Sequence, residues 1–282
     1  MIITTARKIA LASLAFRLLT GVRALFGLPP EIKAARGGVH WALDLREGID
    51  FSIYLLGGFE PATLALYRRL VSPGDYVLDV GANIGSHTLP LALLVGSTGK
   101  VLAFEPTRFA VEKLRANAAL NPELQTRIEA HQLLLVGAST DEVPPAIYSS
   151  WPLIEAENVH AQHRGRLMGT EGARAVTLDG FLAERQLAHV DFIKIDVDGN
   201  EPAVLRGALE TIQRHRPKIL MEIAPYLFDD APEQFHWMLS IFGDLGYSFF
   251  DADTGRELPS QPDALVRFIP AGASRNVLLT AR

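Results

Sequence analysis

A chain of 282 residues is long enough for one large α/β domain with additions, or for two small domains. With 48% hydrophobic and 21% charged residues it is an ordinary globular mix, and a net charge of −5 without a long basic run argues against a nucleic-acid partner. The absence of cysteine excludes disulfides, thiolate zinc sites and a cysteine nucleophile.

Residues 1–26 are apolar and basic, with Arg7, Lys8, Arg17 and Arg23 and no acid before Glu31. Arg17 interrupts the apolar run Ile9–Phe16, which leaves it too short to span a bilayer. No small-residue cleavage site marks a secretory signal. The segment reads as a helix that either lies on an anionic membrane face or packs on the protein or a second subunit, and Pro29-Pro30 ends it. A cytoplasmic location is expected, with peripheral membrane contact through residues 1–26 and homo-oligomerisation both left open. Trp41–Leu45 and Phe51–Leu55 read as the strands of a hairpin joined by Arg46-Glu47-Gly48. Gly57-Gly58-Phe59-Glu60-Pro61 breaks that pattern and opens a helix over Ala62–Leu70. Residues 1–58 are therefore expected to form a helix-and-hairpin extension, and residues 59–282 the main domain.

The centre of the chain is Tyr76–Val80, an apolar strand introduced by the turn signal Pro73-Gly74 and followed by Gly81-Ala82-Asn83-Ile84-Gly85 and an apolar helix over Leu89–Val95. Strand, glycine loop and helix open a nucleotide-binding α/β unit. Gly81 permits a tight turn, and Gly85 lets the helix start lie close to the strand and ligand. A dinucleotide loop needs glycine where this chain has Asn83, and Asp79 at the strand end would repel a pyrophosphate. The same acid suits a ligand carrying an ammonium or sulfonium charge, and S-adenosylmethionine carries both. A second apolar strand, Val101–Phe104, ends in Glu105, 24 positions after Gly81, where a carboxylate can accept two hydrogen bonds from a ribose diol. The competing reading makes Asp79 and Glu105 mere helix caps.

Arg108–Asn121 then reads as a helix and Ile128–Val136 as a third strand. Residues 140–175 are irregular and are expected to form a substrate-side insert, in which His160, His163, Arg164 and Arg166 could bind an acidic substrate and His160 or His163 could serve as general base. Ala175–Leu178 reads as a short strand, with a helix from Asp179 to Leu187. Val190–Ile195 is a fourth core strand running into the acidic turn Asp196-Val197-Asp198-Gly199-Asn200-Glu201, with a helix on to His215. Ligands of open α/β sheets sit at the carboxyl ends of the strands, so this turn should face the same crevice as Asp79, Gly81 and Asn83. Lys218–Ile223 is a fifth strand, and its Glu222 is costly to bury unless paired. Helix 232–245 and a final antiparallel pair, Tyr247–Asp251 with Asn276–Thr280, complete about seven strands, so a doubly wound α/β sheet is predicted.

Val77–Gly85 with Ala103-Phe104-Glu105-Pro106, and Asp191–Glu201 with Val204–Ala208, resemble the FkbM-type methyltransferases. Thr177-Leu178-Asp179 and Asn276-Val277-Leu278 fit the same pattern, and the likeness runs from about Phe59 to Leu279. Asp198 departs from it, since the family usually has glutamate there. The resemblance implies a Rossmann-like class I methyltransferase sheet, mainly parallel with its last strand antiparallel, and S-adenosylmethionine as cofactor. Its cofactor-binding residues would be Glu60, Asp79, Gly81, Ala82, Asn83, Gly85, Glu105 and Asp196. Glu60 either contacts the methionine end of the cofactor or caps the helix it opens. The expected reaction is methylation of a hydroxyl on a small molecule or glycan such as a sugar or secondary metabolite. The candidate proton acceptors are Asp196, His160, His163 and Glu222. Asp196, Asp198 and Glu222 would suit magnesium or calcium, but their spacing requires no ion and no metal is expected. Two other classes stay open: an NAD-dependent oxidoreductase on the same opening unit, and a non-catalytic cofactor-binding or membrane-associated scaffold.

Overall fold

The computed structural model describes residues 5–154 and 165–281. Helix α1 (Thr5–Leu25) precedes a hairpin of β1 (Glu31–Arg36) and β2 (Val39–Asp44), which turns on Gly37-Gly38. Then follow α2 (Gly48–Leu56), α3 (Pro61–Leu70), β3 (Tyr76–Val80), α4 (Thr88–Leu94), β4 (Lys100–Phe104), α5 (Arg108–Ala119), α6 (Pro122–Gln125), β5 (Ile128–His131) and β6 (Leu133–Leu135). The insert contributes β7 (Ala146–Ser150) and β8 (Arg166–Gly169), followed by β9 (Arg174–Val176) and α7 (Leu178–Arg185). The chain continues through β10 (Phe192–Ile195), α8 (Glu201–Arg206), α9 (Leu209–His215), β11 (Lys218–Ile223), α10 (Pro232–Asp244), β12 (Tyr247–Asp251), β13 (Glu257–Leu258), α11 (Pro262–Val266) and β14 (Arg275–Ala281).

Eight strands make one sheet in the order β13-β12-β14-β11-β10-β3-β4-β5. The five from β11 to β5 run parallel, and β14, β12 and β13 pair antiparallel. The order reverses between β3 and β10, so the ligand crevice of a doubly wound sheet opens beyond Val80 and Ile195. Side chains alternate across each strand. Leu78, Val80, Leu102, Phe104, Ile193, Ile195, Met221 and Ile223 pack under α7, α8, α9 and α10 on one face. Val77, Val101, Phe192 and Leu220 pack on the other face against the hairpin, α2, α3 and α4. The same alternation puts Asp79, Lys194 and Glu222 on that second face, near the carboxyl ends of their strands.

The expected hairpin is shifted. Its strands are β1 and β2, and Phe51–Leu55 lies in helix α2. Burial explains the change: the Asp50 carboxylate accepts from the Asp44 N–H and pairs with Lys113, while Phe51 and Ile53 are buried. Tertiary contacts thus override a short alternating pattern. The third strand is broken into β5 and β6, and β6 leaves the main sheet to pair with β9. The helix expected over 201–215 is two helices: at the break the Gly207 carbonyl accepts from the Asp179 N–H, and the Asp179 carboxylate accepts from the Glu210 and Thr211 N–H groups that open α9. The sheet has one strand more than expected, the two-residue β13 between β12 and α11.

Candidate active site

The crevice is built from three kinks, two at the ends of the neighbouring strands β3 and β10 and one before α3. After β3 the chain takes positive φ at Gly81 (80°), Asn83 (47°) and Gly85 (89°). After β10 it does so at Asp198 (50°) and Gly199 (100°), and before α3 at Glu60 (49°). Left-handed backbone is uncommon at non-glycine residues and gathers at functional sites. Three of the five such residues among those described, Glu60, Asn83 and Asp198, stand around this one crevice.

Asp79 is fully buried; its Oδ2 accepts from the Thr88 hydroxyl at 2.6 Å, and its Oδ1 lies 3.8 Å from Lys194 Nζ with no hydrogen-bond partner. Lys194 is directly opposite Asp79 in the β3–β10 register and also reaches Asp196 Oδ2 at 3.1 Å. Burial would discharge this lysine, but Asp196 and Asp79 hold its pKa above the ordinary value. Burial likewise pushes Asp196 up, and Lys194 overcomes that and leaves its carboxyl below the usual range. Its neighbours shift the other way. Burial, then repulsion from Asp196, raises Glu222 and Asp198 well above ordinary carboxyl values, and burial raises Asp79, Glu60 and Glu105. Glu222 also accepts from the Ser274 hydroxyl.

Glu60 Oε2 accepts from Thr63 Oγ1 at 3.1 Å and Asn276 Nδ2 at 2.8 Å, and lies 4.0 Å from His87 Nε2. It stands at the start of α3 but makes no side-chain bond to that helix's backbone, so it is not a conventional cap. His87 is buried, pairs through Nδ1 with the Tyr67 hydroxyl at 3.0 Å and leaves Nε2 unpartnered. Burial pushes its pKa down to about 3, so the ring is neutral.

On the other side of the loop, Glu105 accepts from the Asn83 N–H at 3.0 Å and the Thr107 N–H at 2.9 Å. The Thr107 and Ser149 hydroxyls also donate to it. Part of the capping alternative is therefore real, since Glu105 secures the start of α5. Ser149 belongs to the insert, whose β7 lies over the loop with Asn83 Nδ2 donating to the Ser149 carbonyl at 2.8 Å. Glu47 moors this cover, accepting from Ser150 Oγ at 2.6 Å and Arg166 at 3.2 Å. Arg166 is thus engaged with Glu47, whereas the sequence suggested an acidic substrate. His160, His163 and Arg164 lie outside the described residues. Glu201 accepts from the Val197 and Gly199 N–H groups and so closes the acidic turn structurally. Asp196, Asp198 and Glu222 bring oxygens within 4.8 Å of one another.

Asp79, Gly81, Asn83, Glu105, Asp196 and Glu222 therefore converge, with Glu60 on their rim and Ala82 and Gly85 shaping the loop. Ala82 is buried, and its N–H, like that of Gly81, donates to the Phe104 carbonyl at 3.0 Å. Lys194, His87 and Tyr67 are the site residues that sequence reasoning missed. The signal for Lys194 was available: a lysine inside Phe192-Ile193-Lys194-Ile195 is too costly to bury without acidic partners.

The fold and its acid-lined switch point define a class I methyltransferase. Among the described crevice residues Lys194 is a lone cation amid carboxylates, and Asp79 offers an orphaned buried oxygen. That donor set fits a ligand bearing sulfonium and ammonium charge. The family model for the methyltransferase FkbM domain matches residues 79–249. The chain belongs to the FkbM methyltransferase family, and its cofactor is S-adenosylmethionine.

A probable cobalt-precorrin-6B C(15)-methyltransferase (decarboxylating) of Saccharolobus solfataricus is 30% identical over 109 residues, covering 34% of this chain and 55% of that protein. The chain thus spans about half the length of this curated relative. Among solved structures, an O-methyltransferase from Bacillus cereus in complex with SAH matches with TM-score 0.45 and 14% identity, over 79% of this chain and 81% of that one. Methyltransferase FkbM from Methylobacillus flagellatus KT matches with TM-score 0.43 and 18% identity, over 83% and 56%.

Proposed function

We infer that the protein methylates a hydroxyl oxygen of a small molecule or glycan, with residues 59–282 as the catalytic domain, residues 1–58 as an extension and the insert at 140–175 on the acceptor side. The observation that carries this reading is Asp196 held at 3.1 Å by the buried Lys194, with oxygens of Asp198 and Glu222 within 4.8 Å of its own. Lys194 keeps Asp196 ionised while Glu222 and Asp198 are driven toward their neutral forms. Environments that push adjacent titratable groups apart mark acid and base roles. When bound, S-adenosylmethionine supplies an activated methyl group. Asp79 and Glu60 would hold its cationic amino-acid end, Gly81-Ala82-Asn83 and Gly85 would supply the close-approach loop, and Glu105 would accept from the ribose. The Ser149 hydroxyl on Glu105 occupies an acceptor site that a ribose hydroxyl can claim. Asp196 accepts the acceptor's proton as the new bond develops, and its ion pair with Lys194 fixes its direction. Orientation and exclusion of water are the other contributions and can supply up to about 7–11 kcal/mol. An alcohol that must lose a proton fits this carboxylate better than an acceptor with a free lone pair, and the acidic crevice disfavours a nucleic acid.

The test is a screen of hydroxyl-bearing glycans and secondary metabolites with 13C-methyl cofactor, the carbon shift of the product reporting whether methyl sits on oxygen, nitrogen or carbon. Asp196→Asn is expected to lower kcat about 10²–10⁴-fold while calorimetric cofactor affinity falls only a few-fold. Unchanged turnover would remove Asp196 from the base role, and methyl on carbon or nitrogen would overturn the O-methylation reading.

Cofactor binding should also release protons. A cationic ligand favours the ionised forms of Asp79, Glu60, Asp198 and Glu222, whose pKa values burial has raised. Affinity should therefore increase as pH rises from the ordinary carboxyl range toward those raised values. Titration calorimetry in two buffers of different ionisation enthalpy measures the release, and net proton uptake would contradict it.

A further inference from the structure

Helix α1 has two apolar sides and only one is covered. Phe16 packs edge-on against Phe51, 5.8 Å between ring centroids, with Leu45 beside them. Ala15 and Leu19 lean on the same cluster. On the other side Leu14, Leu18, Val22 and Leu25 are 58%, 66%, 55% and 84% exposed. Steps of four, four and three residues place them in one stripe along the helix. Phe26 and Leu28 extend it past the C-terminal end, also at least half exposed. Isolated exposed apolar residues are ordinary, but a continuous row of six marks an interaction surface.

Charge decides what the row meets. Residues 1–30 carry Arg7, Lys8, Arg17 and Arg23 and no acid, in a chain of net charge −5, which leaves −9 on the remainder. A two-fold contact between copies would set this basic segment against itself, since such an interface is self-complementary. An anionic lipid surface complements it, taking the apolar row into its headgroup boundary and attracting the basic side chains. Among the described residues no helix is long and apolar enough to cross a membrane, so the helix would lie along the surface. We propose that α1 is a docking helix for anionic membranes, seated through Leu14, Leu18, Val22, Leu25 and Phe26. Leu153 of the insert, four residues beyond the Ser149 that touches Glu105, packs on the same Phe16, Leu45 and Phe51 cluster as the covered side of the helix.

The experiment is co-sedimentation of the full chain with phosphatidylcholine vesicles and with vesicles in which about a third of the lipid is phosphatidylglycerol. Binding is expected to be at least about tenfold stronger on the anionic vesicles and to weaken with added salt. The double variant Leu18→Glu, Leu25→Glu should lose it, and Arg17→Glu should weaken it. Both variants change exposed side chains, and unaltered circular dichroism and cofactor affinity would confirm that they fold. Equal binding to both vesicles, absence of binding to either, or undiminished binding by the double variant would overturn the proposal. So would a dimer by light scattering that the double variant dissociates, because a second copy would then cover the row.

Discussion

Replacing Gly81 with alanine is expected to destabilise the protein by about 3 kcal/mol and to abolish cofactor binding. Gly81 sits at φ 80°, where a side chain alone costs about 1–2 kcal/mol. A Cβ there would also overlap the Asp196 carbonyl oxygen and press on the Val197 side chain. That obstacle is backbone, held by the Asp196 N–H to the Val80 carbonyl at 3.1 Å, while the Gly81 N–H is tied to Phe104 at 3.0 Å. The glycine loop and the acidic turn can separate only by opening the switch point itself. Gly85 is a useful contrast. Its positive φ is similar, but a Cβ there would meet the Leu89 Cδ1 and the Leu114 Cγ, side-chain atoms rather than backbone. Gly85→Ala should be the milder change. Chemical denaturation and cofactor titration check both, and a Gly81→Ala protein with the parental midpoint would refute the close-approach account.

Lys194→Met is expected to cost about 3–5 kcal/mol at neutral pH, the usual penalty for breaking a buried ion pair. Asp79 and Asp196 would lose the cation that faces both. The pH dependence gives a sharper check than the magnitude. In the parent, Asp196 has a depressed pKa, so its contribution is present above the unfolded carboxyl value and is lost as pH falls through the folded one. In the variant, burial without the lysine raises both carboxyls. The folded state then binds more protons than the unfolded one, and stability falls as pH climbs from the acid range toward neutrality. The penalty should therefore shrink on acidification. Denaturant unfolding across pH measures it, and a variant penalty independent of pH would mean that Lys194 does not neutralise these acids.

Much of the central sheet was legible because its strands are short apolar runs bounded by strong punctuation. Tyr76–Val80, Lys218–Ile223 and Tyr247–Asp251 fall where those runs lie. The acids at strand ends were legible for the same reason: a charge that terminates an apolar run in a parallel sheet faces the crevice. Features set by distant partners were not legible. Glu31–Arg36 is a strand of unremarkable propensity that exists because Val39–Asp44 pairs with it. Gly48–Leu56 alternates like a strand but is helical, with Asp50 buried against Lys113. The break at Gly207 is fastened by Asp179, 28 positions earlier in the chain, which bonds the Gly207 carbonyl and the first N–H groups of α9. His87 and Tyr67 gave no local pattern, since their pairing joins residues 20 apart across two helices.

The family match begins at Asp79, yet the body that folds does not. Val39, Trp41, Leu43, Ile49 and Ile53 are buried with Tyr67, Val77, Leu89 and Val95 in one apolar cluster. Asn117 of α5 and Asn121, which precedes α6, clasp the backbone of β2, accepting from the Ala42 N–H at 2.9 Å and the His40 N–H at 2.8 Å. Tyr67, the partner of His87, lies in the wall that this hairpin backs. Recombination that grafted the matched region onto a foreign leader would therefore strip one wall from the crevice. The hairpin and the catalytic sheet must be inherited together, and substitutions at Trp41 or Asn117 would be tolerated only with compensating changes on the far side of that junction.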